Sequence, residues 1–185
     1  VRCARRMRSR SAAALAVKVH AISQVLGAFE LAQPLRFTSD AAESTALWNV
    51  RKGIFPAIGA VRPTGTTVII EDVAFPVERL AEATMELQSL FQRFGYPEAI
   101  VYGHALEGNL HFVFTQDFAQ PAEVQRYSNF MDAVCQMVVH KYDGSLKAEH
   151  GTGRNMAPFV EMEWGAPAVA VMRRIKALLD PQGLL

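Results

Sequence analysis

The stretch Val101-Tyr102-Gly103-His104-Ala105-Leu106-Glu107-Gly108-Asn109-Leu110-His111 decides the fold. Residues 100–104 and 110–114 are two short runs of β-branched and aromatic side chains, the signature of a pair of strands. The tightest loop that joins them is Glu107-Gly108, with Gly supplying the positive φ of a two-residue turn. Counting outward from that turn sets Leu106 against Asn109, Ala105 against Leu110 and His104 against His111. Two imidazoles are then expected on one face of a hairpin, their β-carbons about 4.5–5.5 Å apart. That is the spacing at which two nitrogens share one metal ion.

A second candidate stretch lies further on, at Lys147-Ala148-Glu149-His150-Gly151-Thr152-Gly153-Arg154. A Gly-x-Gly loop bearing an adjacent carboxylate and imidazole has no packing reason to carry them. Together the two stretches point to a metal centre of His104, His111 and Glu149, with His150 left for chemistry. Asn109 reads either as a turn residue or as an amide presented to a ligand. Arg51 reads either as a cation at a helix C-terminus or as a bidentate carboxylate clamp, with Arg62, Lys147 and Arg154 weaker candidates for that role. His20 and His140 fall on expected helices without partners and read as structural.

The surrounding pattern is that of an α+β protein: an antiparallel sheet with helices packed on one face, as in ferredoxin-like folds. Residues 66–73 read as a central strand covered on both faces. Pro76 opens a helix over about 77–94 with Leu80, Met85, Leu87, Leu90, Phe91 and Phe94 inward, and Pro121 opens another to about 142. Ahead of these, a helix is expected over 11–29 on the stripe Leu15, Val19, Ile22 and Leu26. A short strand is expected over 35–38, and a capped helix from Ser39-Asp40 to about 54. Pro56, Gly59, Pro63 and Gly65 mark a loop. Two shorter helices, about 155–163 and 166–179, close the chain.

The 185 residues suit one domain with a real core, and half are apolar. No apolar run approaches the roughly 20 residues of a membrane helix. The formal charge is +1, but Arg2, Arg5, Arg6, Arg8 and Arg10 supply five of the 19 basic residues, leaving 14 against 18 acidic ones in the body. The body is mildly acidic, and a nucleic-acid partner is not expected of it. The arginine head itself reads as a transit segment, a phosphate-touching arm or, preferred, the start of a piece cut from a longer chain. Cys3 and Cys135 are too few and too far apart for a disulfide framework, so a reduced thiol in the cytoplasm is expected.

Five separated motifs, in order, resemble one family. They are Leu47-Trp48-Asn49-Val50-Arg51-Lys52, Ile70-Glu71-Asp72-Val73-Ala74-Phe75-Pro76, the span from Gly103 to His111, Glu149-His150-Gly151-Thr152-Gly153-Arg154, and Leu179-Asp180-Pro181-Gln182-Gly183-Leu184-Leu185. From about residue 34 to the end the chain is similar to the C-terminal half of the FAD-linked oxidases, the D-lactate, glycolate and D-2-hydroxyglutarate dehydrogenases of the vanillyl-alcohol-oxidase plan. Among their branches it most resembles the one that continues into an iron–sulfur domain. Residues 1–33 would then be the Arg-rich head and first helix.

The resemblance implies a divalent metal, zinc or manganese, at His104, His111 and Glu149. It makes His150 the base beside the flavin, and Arg51 and Asn109 substrate contacts, with Gly151 and Gly153 toward the cofactor. It further implies FAD held mainly by a preceding domain, with any iron–sulfur cluster elsewhere in the full chain. The expected partners are a small 2-hydroxyacid, the absent FAD-binding domain, and room for a homo-oligomer and an electron acceptor at the inner membrane, where a cytoplasmic protein would be peripheral. Two departures stand out: the usual Gly-Asp-Gly-Asn turn is Leu106-Glu107-Gly108-Asn109, and Ile70 replaces a lysine that some 2-hydroxyglutarate enzymes carry. Taken without the resemblance, the residues leave open a non-redox metal-binding or ligand-sensing module and a metal-dependent hydrolase.

Overall fold

The computed structural model describes residue 7, residues 9–31 and residues 33–184, with the backbone alone at Arg51 and Phe55. Cys3 and four of the five head arginines therefore lie outside the described residues. Contacts group the chain into two compact units, Val1–Phe55 and Pro56–Leu185, the division falling inside a helix.

In the first unit, helix α1 (Ala12–Leu26) opens at Ser11, whose hydroxyl accepts the Ala14 N–H at 3.2 Å. Its stripe of Leu15, Val19, Ile22 and Leu26 is only half-buried, and no residue of the helix is fully buried. The strand expected over 35–38 is not formed: the segment has no ladder partner among the described residues, and an unpaired strand leaves its backbone groups to water. Asp40 caps helix α2 (Ala41–Val61), its Oδ1 taking the Glu43 N–H at 2.6 Å. The helix runs on through Pro56 and Gly59, where a loop was expected, and the loop shrinks to 62–66. A proline removes one ladder bond, and helical residues on both sides carry the helix across it.

The second unit holds an antiparallel three-stranded sheet in the order β1-β3-β2, from β1 (Thr67–Ala74), β2 (Ile100–His104) and β3 (Asn109–Gln116). Strand β3 is therefore the central one, not β1. The ladder sets Ile69, Glu71 and Val73 opposite Phe114, Phe112 and Leu110, and side chains alternate between faces. These six share the face on which α3 (Leu80–Arg93) and α4 (Pro121–Gln136) lie. Phe91 of α3 meets Phe112 and Phe114 with ring centroids 5.7 and 6.0 Å apart, and Phe130 of α4 meets Phe114 at 5.2 Å. Ala83, Leu87, Leu90 and Phe91 are the buried residues of α3, and Met85, half a turn off that stripe, is exposed. Helix α4 passes into one π-helical turn, Met137–Lys141. Burial pushes the Cys135 thiol up to about 12.

This strand–helix–strand–strand–helix order is the α+β arrangement expected from sequence. A fourth strand position, beside β1, is filled only by a bridge: Ala74 and Ser145 exchange both backbone hydrogen bonds at 2.9 Å. The chain then runs as a loop into the short helix α5 (Gly153–Met156) and on to α6 (Val160–Leu179), which is interrupted at Gly165.

Candidate active site

The sheet face turned away from α3 and α4 carries Asp72, Asn109, His111, Tyr102 and His104, because these are the residues paired across the three strands at alternate positions. His104 is not opposite His111. The observed ladder pairs His104 with Asn109 and Tyr102 with His111, a slip of two residues from the counted register. The slip arises because the connection is four residues long, not two: Ala105–Glu107 forms a 3-10 turn and Gly108 closes it at φ 65°. The Gly108 carbonyl accepts the Phe75 N–H at 2.9 Å, which ties the turn to the end of β1.

The two imidazoles nevertheless come together, their ring centroids 5.5 Å apart at 84°. The loop after Ser145 brings Glu149 over them. Its Oε1 lies 3.0 Å from His111 Nε2 and 3.4 Å from His104 Nε2. His111 is buried in the central strand, whereas His104 and Glu149 are about half exposed. Burial holds the His111 imidazole below its ordinary range, the nearby His150 adds to this, and the carboxylates of Glu149 and Asp72 oppose it. A neutral imidazole is the form that ligates a metal. His150 stacks on His111 with centroids 4.9 Å apart and 15° between planes.

The loop is anchored from below. Asp72, fully buried and paired in register with His111, accepts the N–H of Ala148 at 2.9 Å and of Glu149 at 2.7 Å through Oδ2. Glu71 points to the opposite face, where it takes the Lys147 ammonium and the Asn155 amide. Glu163 of α6 holds the start of the loop, accepting from Ser145 Oγ at 2.6 Å and Leu146 N at 3.1 Å. Gly151 and Gly153 both adopt positive φ, with open space where a β-carbon would stand. A cleft of about 320 Å³ opens beside them, lined by Lys147, Glu149, Thr152, Glu163 and Trp164.

Of the residues singled out in the sequence, His104, His111, Glu149 and His150 are brought together, and Asn109 shares their face. Asn109 is buried, its Nδ2 donates to the Val73 carbonyl at 3.3 Å, and its Oδ1 has no hydrogen-bond partner among the described residues. The Arg51 side chain lies outside the described residues. Arg62 is bonded to the carbonyls of Gly59 and Thr66 in its own turn, and Lys147 is spoken for by Glu71 and Asp72. Asp72 is the member that sequence reasoning left unassigned. The one signal for it is a pair of carboxylates in a run otherwise apolar and β-branched.

His104, His111 and Glu149 suit a divalent ion. Their donor atoms lie within 4.8 Å of one another, and both imidazoles turn Nε2 toward the same oxygen of Glu149, His111 from a buried position in the central strand. Among those residues no helix is long and apolar enough to cross a membrane.

Comparison with known proteins adds a family. The sequence pattern of FAD linked oxidases, C-terminal domain, matches residues 6–185. A glycolate oxidase subunit GlcD of Bacillus subtilis (strain 168) is 27% identical over 143 residues, 77% of this chain and 29% of that protein. A D-2-hydroxyglutarate dehydrogenase of Xanthomonas citri pv. viticola is 29% identical over 167 residues, 86% of this chain and 34% of that one. A probable mitochondrial D-lactate dehydrogenase of Danio rerio is 30% identical over 149 residues, covering 80% and 29%. The chain thus spans about a third of the length of the curated relatives it matches.

Proposed function

Because the chain belongs to the C-terminal domain family of FAD-linked oxidases, we propose that it is the metal- and substrate-handling part of a flavin-dependent dehydrogenase that converts a D-2-hydroxyacid to the 2-oxoacid. The observation that carries this reading is the convergence of two imidazole nitrogens on one oxygen of Glu149. The names of the relatives support the substrate class, since glycolate, D-lactate and D-2-hydroxyglutarate are all 2-hydroxyacids.

His104, His111 and Glu149 would hold the ion, and a set of two imidazoles and a carboxylate suits zinc or manganese. When bound, that ion supplies Lewis acidity toward a hydroxyl and an adjacent carboxylate oxygen. A flavin, held outside this chain, would supply the acceptor for the hydride from the substrate's α-carbon. His150 is the proton acceptor. Its side chain is partly exposed and stacked on His111, so it can reach a hydroxyl held over the ligands and take its proton on Nε2. The products balance as the 2-oxoacid, one proton on His150 and one hydride on the flavin. Asn109 lies on the same face with a buried Oδ1 that has no hydrogen-bond partner among the described residues, and its role would be a contact to the substrate from beneath the ligands.

The test uses the full-length flavoprotein. Anaerobic addition of D-lactate or D-2-hydroxyglutarate should bleach the flavin. His150→Asn should slow that bleaching by at least about 100-fold with the metal content unchanged. Normal flavin reduction in His150→Asn removes the base. No bleaching of the wild type by either acid favours the hydrolase or sensing reading.

A further inference from the structure

Asp72 is fully buried in a strand that is otherwise apolar at its covered positions, apart from Glu71. A carboxylate stripped of water is kept only where donors replace that water. Oδ2 has two, the N–H groups of Ala148 and Glu149. Oδ1 has no hydrogen-bond partner among the described residues, and the donors facing it are His150 Nδ1 at 3.4 Å and Lys147 Nζ at 3.6 Å. The ammonium lies closer to Glu71, which leaves the imidazole as the donor without another carboxylate among the described residues.

We propose that Asp72 is the positioning residue of the centre. Oδ2 fixes the peptide that carries Glu149 and so aims its carboxylate at His104 and His111. Oδ1 takes the Nδ1–H of His150, which selects the tautomer whose Nε2 has a free lone pair for the substrate's hydroxyl proton. One carboxylate thereby couples the ligand and the base, adjacent residues on the same loop, to the strand that carries His111 in register with it. The approach at 3.4 Å is longer than a formed hydrogen bond, and on this proposal it closes to one when substrate is bound. This inference rests on Glu149 being a ligand and His150 the base.

Two substitutions separate the two oxygens. Asp72→Asn keeps a carbonyl oxygen for the two loop N–H groups, which forces its amide nitrogen toward His150 Nδ1. A donor now faces a donor, so the imidazole must turn over to the tautomer with Nε2 protonated. Asp72→Ala removes both functions. The readouts, in the full-length flavoprotein, are the affinity for Co²⁺ from its ligand-field absorption and the rate of anaerobic flavin reduction at saturating D-2-hydroxyacid.

Asp72→Asn should bind Co²⁺ as the wild type does, with KM little changed, and reduce flavin about 10²–10⁴-fold more slowly. Asp72→Ala should lose the rate and also about 10–100-fold in Co²⁺ affinity. Should Asp72→Ala not fold, as judged by circular dichroism, the near-isosteric Asp72→Asn decides alone. Flavin reduction at the wild-type rate in Asp72→Asn overturns the proposal, as does equal loss of metal and rate in that variant. Asp72, His111 and His150 also offer three ligand atoms within 4.8 Å of one another, so a second bound equivalent of Co²⁺ that Asp72→Asn abolishes would make Asp72 a ligand instead. Failure of the underlying reading looks different: a wild type that binds no Co²⁺, or a His150→Asn variant with normal flavin reduction.

Discussion

Replacing Gly108 by alanine tests whether the turn that aims His104 is fixed by the end of β1. Gly108 sits at φ 65°, and a β-carbon there would fall 1.9 Å from the Phe75 carbonyl oxygen and 3.1 Å from its carbon. Real β-carbons essentially never approach within 3.0 Å, and the obstacle is backbone, so the turn must move by about 1 Å. The left-handed conformation alone costs a non-glycine residue about 1–2 kcal/mol. Moving the turn also breaks the bond from Phe75 N–H to the Gly108 carbonyl, a loss of about 1–3 kcal/mol where the groups are left unpaired. The sum is about 3 kcal/mol, a fall in melting temperature on the order of 6–12 °C for a chain of this size. Gly153→Ala is the matched control, because Gly153 has the same φ of 65° and nothing among the described residues within 4 Å of the added carbon. It should show only the conformational cost, about 1–2 kcal/mol. Urea unfolding of both variants measures the difference. Because Asn109 and His104 flank the turn as a ladder pair, Gly108→Ala should also weaken Co²⁺ binding. Equal stability losses in the two variants would refute the steric argument, and unaltered metal affinity would refute the link from turn to site.

The remaining predictions concern the buried charges. Lys147→Met should destabilise the protein by about 3 kcal/mol, because among the described residues it leaves the buried Glu71 carboxylate with only the Asn155 amide; adding Glu71→Gln should recover most of that loss, and a neutral single variant refutes the pairing. The metal-free protein should lose stability as the pH falls below about 6.5: His111 in the folded chain has its pKa lowered from 6.5 by burial, so the unfolded chain binds the proton first. Urea midpoints at pH 7.5 and 5.5 measure this, and the difference should shrink in His111→Gln; an unchanged difference assigns the effect elsewhere.

How far the centre can be read in the sequence is decided by parity. The hairpin register counted from Glu107-Gly108 is wrong by two residues, yet the two histidines still share a face, because the strand period is two and an even slip moves no side chain through the sheet. The cause of the slip is tertiary. The bond from Phe75 to Gly108 comes from a strand end 33 positions earlier, and no local pattern records it. The helices were legible where one face is buried, as with Leu87, Leu90 and Phe91 in α3, and misread where local punctuation competes with packing, as at Pro56.

Asp72 is the instructive case. A carboxylate pair in an apolar run says that one of the two faces each side of the sheet, but not which. That depends on how β1 registers on β3, and only with Asp72 set against His111 does its carboxylate come under the loop that carries Glu149 and His150. The residues that would touch metal and substrate carry their own chemical signature and can be picked out one by one. The residue that would hold them in place is indistinguishable from its neighbour until the sheet is assembled, so a loop's support is found by parity and register, and its chemistry by composition.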